Sequence, residues 1–102
     1  MYKAWVYILK CCDNSYYIGK TQNLEKRIEE HNNGVYTGYT FNRRPVKLVY
    51  SHGFLTFLEA IQTERQLKGW SRAKKEALIN GEFELLHELA KCKNASNFQN
   101  YD

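Results

Sequence analysis

Glu64 stands where the helical pattern asks for an apolar residue. Phe57, Ala60, Ile61, Glu64 and Leu67 recur at the spacing of one helix stripe. A carboxylate in such a stripe is costly to bury alone, so it requires a cation or hydrogen-bond donors. Arg27, a lysine or a metal ion are the candidate partners. The competing reading is a structural ion pair, or a helix rotated so that Glu64 reaches water. A second stripe, Leu24, Arg27, Ile28 and His31, carries a guanidinium and an imidazole on the flank that anchors its helix. Arg27 at the edge of that stripe can also snorkel outward.

The segment VYILKCCDNSYYIGK, residues 6–20, supplies the tyrosines. Two apolar runs around a polar turn predict a hairpin. Register decides what the phenols can do. A two-residue loop, Asp13-Asn14, sets Tyr7 opposite Lys20 and turns Tyr17 to the other face. A three-residue loop, Asp13-Asn14-Ser15, pairs Cys12 with Tyr16 and Cys11 with Tyr17. Tyr7, Leu9, Cys11, Tyr17, Gly19 and Thr21 then line one face, and Val6, Ile8, Tyr16 and Ile18 the other. A one-residue slip flips every side chain. The second register clusters Tyr7 and Tyr17 beside a glycine that leaves room. The plainer alternative is a pair of core aromatics with wet hydroxyls.

The elements that must position these groups follow from local signals. Residues 4–10 and 16–21 read as strands. Asn23 can cap a helix from Leu24 that Gly34 ends. Residues 35–44 read as a polar, aromatic and basic loop. Pro45 opens a third strand, Val46 to Tyr50. Thr56-Phe57-Leu58-Glu59 is a capping box for a second helix, stopped by Gly69. Ser71 can cap a third, closed by Asn80-Gly81. Phe83, Leu86 and Leu89 suggest a fourth over residues 82–91. The order β-β-α-β-α-α-α predicts an α/β (α+β) fold: a three-stranded antiparallel sheet flanked by helices. One domain over residues 1–92 is expected, with a disordered tail over 93–102.

The chain of 102 residues has a net charge of +4, which permits nucleic-acid binding without requiring it. The distribution says more. Arg43, Arg44, Lys47, Arg65, Lys68, Arg72, Lys74 and Lys75 crowd the middle, and acidic residues mostly follow. That suggests one side facing a polyanion, although a charge run can also be a solvated face. Cys11, Cys12 and Cys92 suit neither a disulfide framework nor a zinc site, and read as buried thiols in a reducing compartment. No apolar run approaches the roughly 18 residues of a membrane span, and the N-terminus lacks a signal-peptide core. A cytoplasmic protein without membrane association is expected, with a monomer as the default.

Trp5-Val6-Tyr7, Tyr17-Ile18-Gly19, Arg27 with His31, and Glu64 together resemble the GIY-YIG nuclease family. The resemblance runs from about residue 4 to 80, and the ordered spacing carries it, since each piece alone is weak. The chain looks like the small stand-alone members. The resemblance implies metal-dependent hydrolysis of a nucleic-acid phosphodiester. Tyr7 matches the tyrosine of the GIY half and Tyr17 that of the YIG half, with Gly19 as the motif glycine. Arg27 and His31 match a helix-borne pair, Glu64 the metal-binding glutamate, and Lys20 a lysine seen in some members. Three features depart from the pattern. Trp5 replaces the first glycine. Phe41 stands where similar members often carry arginine, which removes one phosphate contact. A late asparagine used by some relatives has no counterpart.

On this reading Glu64 holds one Mg²⁺ or Mn²⁺ and Arg27 clamps a non-bridging phosphate oxygen. Tyr7 is the general base, with Lys20, His31 and the metal as candidates to lower its pKa from about 10. Tyr17 positions water or phosphate, or exchanges roles with Tyr7. Arg43, Arg44, Lys47, Lys68, Arg72, Lys74 and Lys75 are candidate phosphate contacts. Tyr39, with Tyr36 and Phe41, can stack on unpaired bases. Trp5 and Trp70 are assigned to packing. The expected function is an endonuclease acting on DNA, selective for branched or damaged structures and linked to repair or recombination, with a protein partner for targeting. The alternatives are an inactive or partner-dependent nucleic-acid-binding module, and a purely structural interaction domain.

Overall fold

The computed structural model describes residues 1–85 and residue 88. The strands are β1 (Ala4–Lys10), β2 (Tyr16–Thr21) and β3 (Lys47–Phe54), and the helices are α1 (Leu24–Asn32), α2 (Phe57–Lys68) and α3 (Arg72–Ile79). A short 3₁₀ turn, Phe41–Arg43, precedes β3. The sheet is antiparallel in the order β2-β1-β3, so β1 is central. This is the expected α+β class. Of the fourth helix expected over residues 82–91, residues 83–85 and 88 are helical; residues 86, 87 and 89–91 lie outside the described residues, as do Cys92 and the tail over 93–102.

β1, the middle strand, is paired along both edges and buried on both faces. Ala4, Val6 and Ile8 fill one side; Tyr7, Leu9 and Cys11 fill the other. Tyr7, Leu9, Cys11 and Val46 form a core cluster, against which Tyr17, Leu24, Ile28 and Leu48 pack. The second stripe read from the sequence thus lays α1 on the Tyr7 face.

The hairpin corrects the expected pairing while keeping its parity. The Cys11 N–H donates to Ser15 O at 2.8 Å, and the Asn14 N–H donates to Cys11 O at 2.9 Å. The three loop residues are therefore Cys12-Asp13-Asn14, not Asp13-Asn14-Ser15. Asn14 takes the left-handed position, φ 69°, which its short amide side chain tolerates. Tyr17 pairs with Leu9, Tyr16 with Lys10, and Gly19 with Tyr7. Moving the loop by one residue shifts the pairing by two and leaves each side chain on its expected face.

β3 runs longer than the apolar run predicted, to Phe54, because β1 continues to offer partners back to Ala4. A bulge falls between Ile8 and Leu9, leaving Val49 between the paired Leu48 and Tyr50. Asn23 caps α1 by accepting from the Lys26 N–H at 3.2 Å, and Gly34 follows the helix at φ 76°. Thr56 and Glu59 form the capping box of α2. The Asn32 side chain donates to Val46 O at 3.1 Å and accepts from its N–H at 2.8 Å. It imitates a strand neighbour and ties the entry to β3 to the end of α1.

The thiols part company. Cys11 is buried, whereas Cys12 is exposed at the hairpin loop, against the expectation that both are buried. No described helix is long and apolar enough to cross a membrane. The chain divides into two compact units, Met1–Gln66 and Leu67–Asp102. In the second, Ser71 caps α3, and Lys74 Nζ lies 4.4 Å from the centre of the Trp70 ring.

Candidate active site

Tyr7 is fully buried beneath Gly19. A methyl group on Gly19 would overlap the Tyr7 hydroxyl, so the motif glycine is the space into which the phenol reaches. The Tyr7 Oη lies 3.0 Å from His31 Nε2, and His31 Nδ1 lies 2.8 Å from Thr40 Oγ1. The rings of Tyr7 and Tyr17 sit 6.4 Å apart, and Tyr17 meets His31 edge-on at 5.2 Å. The structure thus brings Tyr7, Tyr17, Gly19 and His31 together.

Arg27 lies one turn before His31 on α1. Its Nη1 donates to Lys20 O at 3.2 Å. Its Nε is buried without a hydrogen bond, 3.5 Å from Glu30 Oε1. The Arg27 guanidinium is 5.1 Å from the centre of the Tyr36 ring. It has turned inward, and its Nε, though without a hydrogen bond, is ion-paired with Glu30.

Burial pushes the Tyr7 phenol up to about 12; the neighbouring Tyr17 adds to this and the Arg27 guanidinium opposes it. Burial, reinforced by Arg27, holds His31 below its ordinary range, so the imidazole is neutral near pH 7. The free protein therefore keeps Tyr7 protonated near neutral pH, and Arg27, rather than Lys20 or His31, is the cation of the chain that opposes the rise.

Lys20 does not face that phenol. It follows Gly19, so strand alternation turns it to the face of Val6, its partner across the ladder. There its Nζ lies 3.2 Å from Glu64 Oε1, and Glu64 is buried. The carboxylate in the α2 stripe thus finds a lysine among its three candidate partners. Phe57, the first residue of that stripe, is 40% exposed and lies outside the buried part. Lys20 joins the two halves: its carbonyl accepts from Arg27 and its ammonium pairs with Glu64. β2 is an edge strand, which allows one site to use both of its faces.

Two clefts flank Arg27. One, of about 640 Å³, is lined by Lys20, Thr21, Gln22, Asn23, Lys26, Arg27, Glu30, Tyr36 and Phe57. The other, of about 300 Å³, is lined by Tyr17, Arg27, His31, Tyr36, Thr37, Gly38, Tyr39 and Thr40. Sequence reasoning missed Lys26 and Thr40. Lys26 had a findable signal, since it is a cation in the first turn beside Arg27. Thr40 had none, because a loop threonine becomes significant only once the loop folds onto α1.

The basic loop is used largely for construction. Arg43 donates through Nε to Asp13 at 3.0 Å and through Nη1 to Tyr39 O at 2.7 Å, and covers the Tyr39 ring at 3.9 Å. Arg44 donates through Nε to Phe41 O at 2.7 Å and covers the Phe41 ring at 4.5 Å. Tyr39 also stacks on Tyr17 with centroids 6.1 Å apart. Lys47 is exposed on β3. In the second unit Lys68 and Arg72 are exposed, Arg72 pairing with Glu76 at 3.0 Å, while Lys74 is buried and Lys75 is half-buried.

A three-stranded sheet with paired tyrosines over a glycine, an arginine–histidine helix and a glutamate-bearing helix defines a class. The chain matches the GIY-YIG catalytic domain over residues 3–77 and belongs to that family. The domain is that of a nuclease, which implies nucleic acid as its substrate and a phosphodiester as its target. Within the family the chain is similar to the UPF0213 proteins. It is 49% identical over 80 residues to one from Staphylococcus saprophyticus subsp. saprophyticus, covering 78% of this chain and 98% of the relative. It is 44% identical over 90 residues to one from Bacillus pumilus, covering 85% and 92%. The solution structure of a protein from E. faecalis matches with a TM-score of 0.56 at 36% identity, covering 83% of this chain and 93% of that one.

Proposed function

We propose that the protein is an endonuclease hydrolysing DNA phosphodiester bonds with one divalent metal ion, Mg²⁺ or Mn²⁺. The supporting observation is the gathering of Tyr7, Tyr17, His31 and Arg27 against Gly19, joined through Lys20 to Glu64. Arg27, which lines both clefts, would bind a non-bridging oxygen through its guanidinium fork. Tyr7 would take the proton of the attacking water, and His31 Nε2 is the contact through which the phenol can shed its own. Tyr17, half-exposed beside the smaller cleft, would orient water or phosphate.

The donor set limits the metal. Among the described residues no three His, Cys, Asp or Glu side chains gather into a site. One carboxylate, with water and the substrate phosphate, is a mode that suits Mg²⁺, so Glu64 fits as a lone protein ligand. The ion would supply charge neutralisation at the phosphate and a more acidic water. Glu64→Gln is expected to abolish metal-induced NMR shifts around residue 64 and lower cleavage about 10³-fold, several kcal/mol of lost stabilisation. Wild-type shifts under Mg²⁺ that bypass Glu64 would refute its role.

Lys20, Lys26 and Arg27 line the larger cleft and are the phosphate contacts we favour. Phosphate contacts position without reading sequence, which supports selectivity for DNA structure, in keeping with repair or recombination. Lys26→Ala is expected to weaken binding equally across sequences. It should also flatten the slope of log affinity against log salt by about 0.9. An unchanged slope would place the DNA elsewhere.

One observation favours the alternative of a nucleic-acid-binding module without activity of its own: Glu64 already carries an ion pair with Lys20. Cleavage assays on single-stranded, duplex and branched DNA with Mg²⁺ or Mn²⁺ separate the two. Salt-dependent binding that Glu64→Gln leaves unchanged, without cleavage by the wild type, would establish the binding module instead.

A further inference from the structure

Tyr7, His31 and Thr40 form a chain of hydrogen bonds between buried side chains, with 0%, 3% and 1% of their surfaces exposed, and His31 and Thr40 lie in the wall of the smaller cleft. Thr40 precedes the 3₁₀ turn, a position where a threonine hydroxyl usually caps, yet it makes no capping bond there. The hydroxyl is turned to His31 Nδ1 at 2.8 Å, too close for an intervening water. Its backbone is held as well, since the Arg43 N–H donates to Thr40 O at 3.0 Å.

The direction of the proton chain follows from the groups around Tyr7. The Arg27 guanidinium is near enough to oppose the rise of the Tyr7 pKa, and a neighbouring cation draws the oxygen lone pairs of the phenol to its own side. The single phenol proton is left for His31 Nε2, 3.0 Å away. A neutral imidazole accepting at Nε2 carries its own proton on Nδ1, where the Thr40 oxygen receives it. The other titratable or charged groups facing His31 are Tyr17 of β2, Arg27 and Glu30 of α1, and Tyr36 of the loop.

We infer that Thr40 is a positioning residue whose buried hydroxyl fixes His31 in the Nδ1–H tautomer, leaving Nε2 to accept the Tyr7 proton. Its catalytic consequence rests on the nuclease reading above. In the step, the water O–H bond breaks and its proton passes to Tyr7 Oη as the Tyr7 proton passes to His31 Nε2. The water oxygen forms the new P–O bond, the old P–O bond breaks, and the leaving oxygen takes a proton from solvent. His31 then holds both ring protons, the Nδ1 one hydrogen-bonded to Thr40, and returns the Nε2 one to solvent.

Long-range ¹H–¹⁵N NMR of His31 in the wild type, Thr40→Val and Thr40→Ser tests this, alongside cleavage by each. The wild type should show Nδ1 protonated and Nε2 free. Thr40→Val should give mixed tautomers and a kcat about tenfold lower at unchanged KM, and Thr40→Ser should restore both. Nε2 protonated in the wild type would overturn the inference, even if Thr40→Val fails to fold. So would a folded Thr40→Val with an unchanged tautomer. A wild type with Nδ1 protonated but no cleavage would refute the nuclease reading and still support the placing of the proton by Thr40.

Discussion

Tyr7→Phe is expected to lower kcat about 10²–10⁴-fold, the range of a positioned general base, with KM little changed. The substitution removes one oxygen from a fully buried ring, so the packing against Leu9, Val46 and Leu48 is retained. What is lost is the hydroxyl between His31 and the space above Gly19. Tyr17→Phe provides the control for the exchange of roles. If Tyr17→Phe abolishes cleavage while Tyr7→Phe retains it, the base is Tyr17.

The same substitution has a signature in stability that does not involve activity. The Tyr7 pKa rises from the ordinary 10.0 to about 12 on folding, chiefly through burial. A group whose pKa is raised in the folded state leaves stability intact below its unfolded value. Stability is then lost as pH climbs through the window between the two, because the unfolded chain ionises first. Wild-type stability should thus fall more steeply than that of Tyr7→Phe between pH 10 and 12. Parallel curves, measured by urea unfolding, would show that Tyr7 ionises as freely folded as unfolded.

Gly19→Ala is expected to cost about 1–3 kcal/mol of stability, the range for an overpacked core. It should remove most activity with it. The added methyl overlaps the Tyr7 hydroxyl, and the ring has no open side to retreat to because Tyr7 is wholly buried. Relief requires Tyr7 to swing away from His31 or β2 to separate from β1, and either change breaks the 3.0 Å contact. Gly38→Ala is the control, since a methyl there would meet nothing within 4 Å. Equal unfolding midpoints for both variants would show that Gly19 is not serving as space for the phenol.

The alternation of the hairpin and the stripes of α1 and α2 were legible because each is periodic along a single segment. Tyr7 and Tyr17 share a face by parity alone, which survives the correction of the loop from Asp13-Asn14-Ser15 to Cys12-Asp13-Asn14. The polar intruders Arg27, His31 and Glu64 stood out for the same reason. The sequence by itself therefore determined the class of fold and the family, and it singled out most of the residues that the fold gathers into the candidate site.

Tertiary structure alone decided their partners. Lys20 is adjacent to Gly19 in sequence but opposite to it in space, so it serves Glu64 and not Tyr7. Arg43 and Arg44 read as free cations until the loop closes, when Asp13, Tyr39 and Phe41 engage them. The acidity of Tyr7 depends on how completely it is enclosed, and Thr40 meets His31 only because the loop returns over α1. Periodicity is a property of one segment, whereas burial and hydrogen-bond partners arise where separate segments meet.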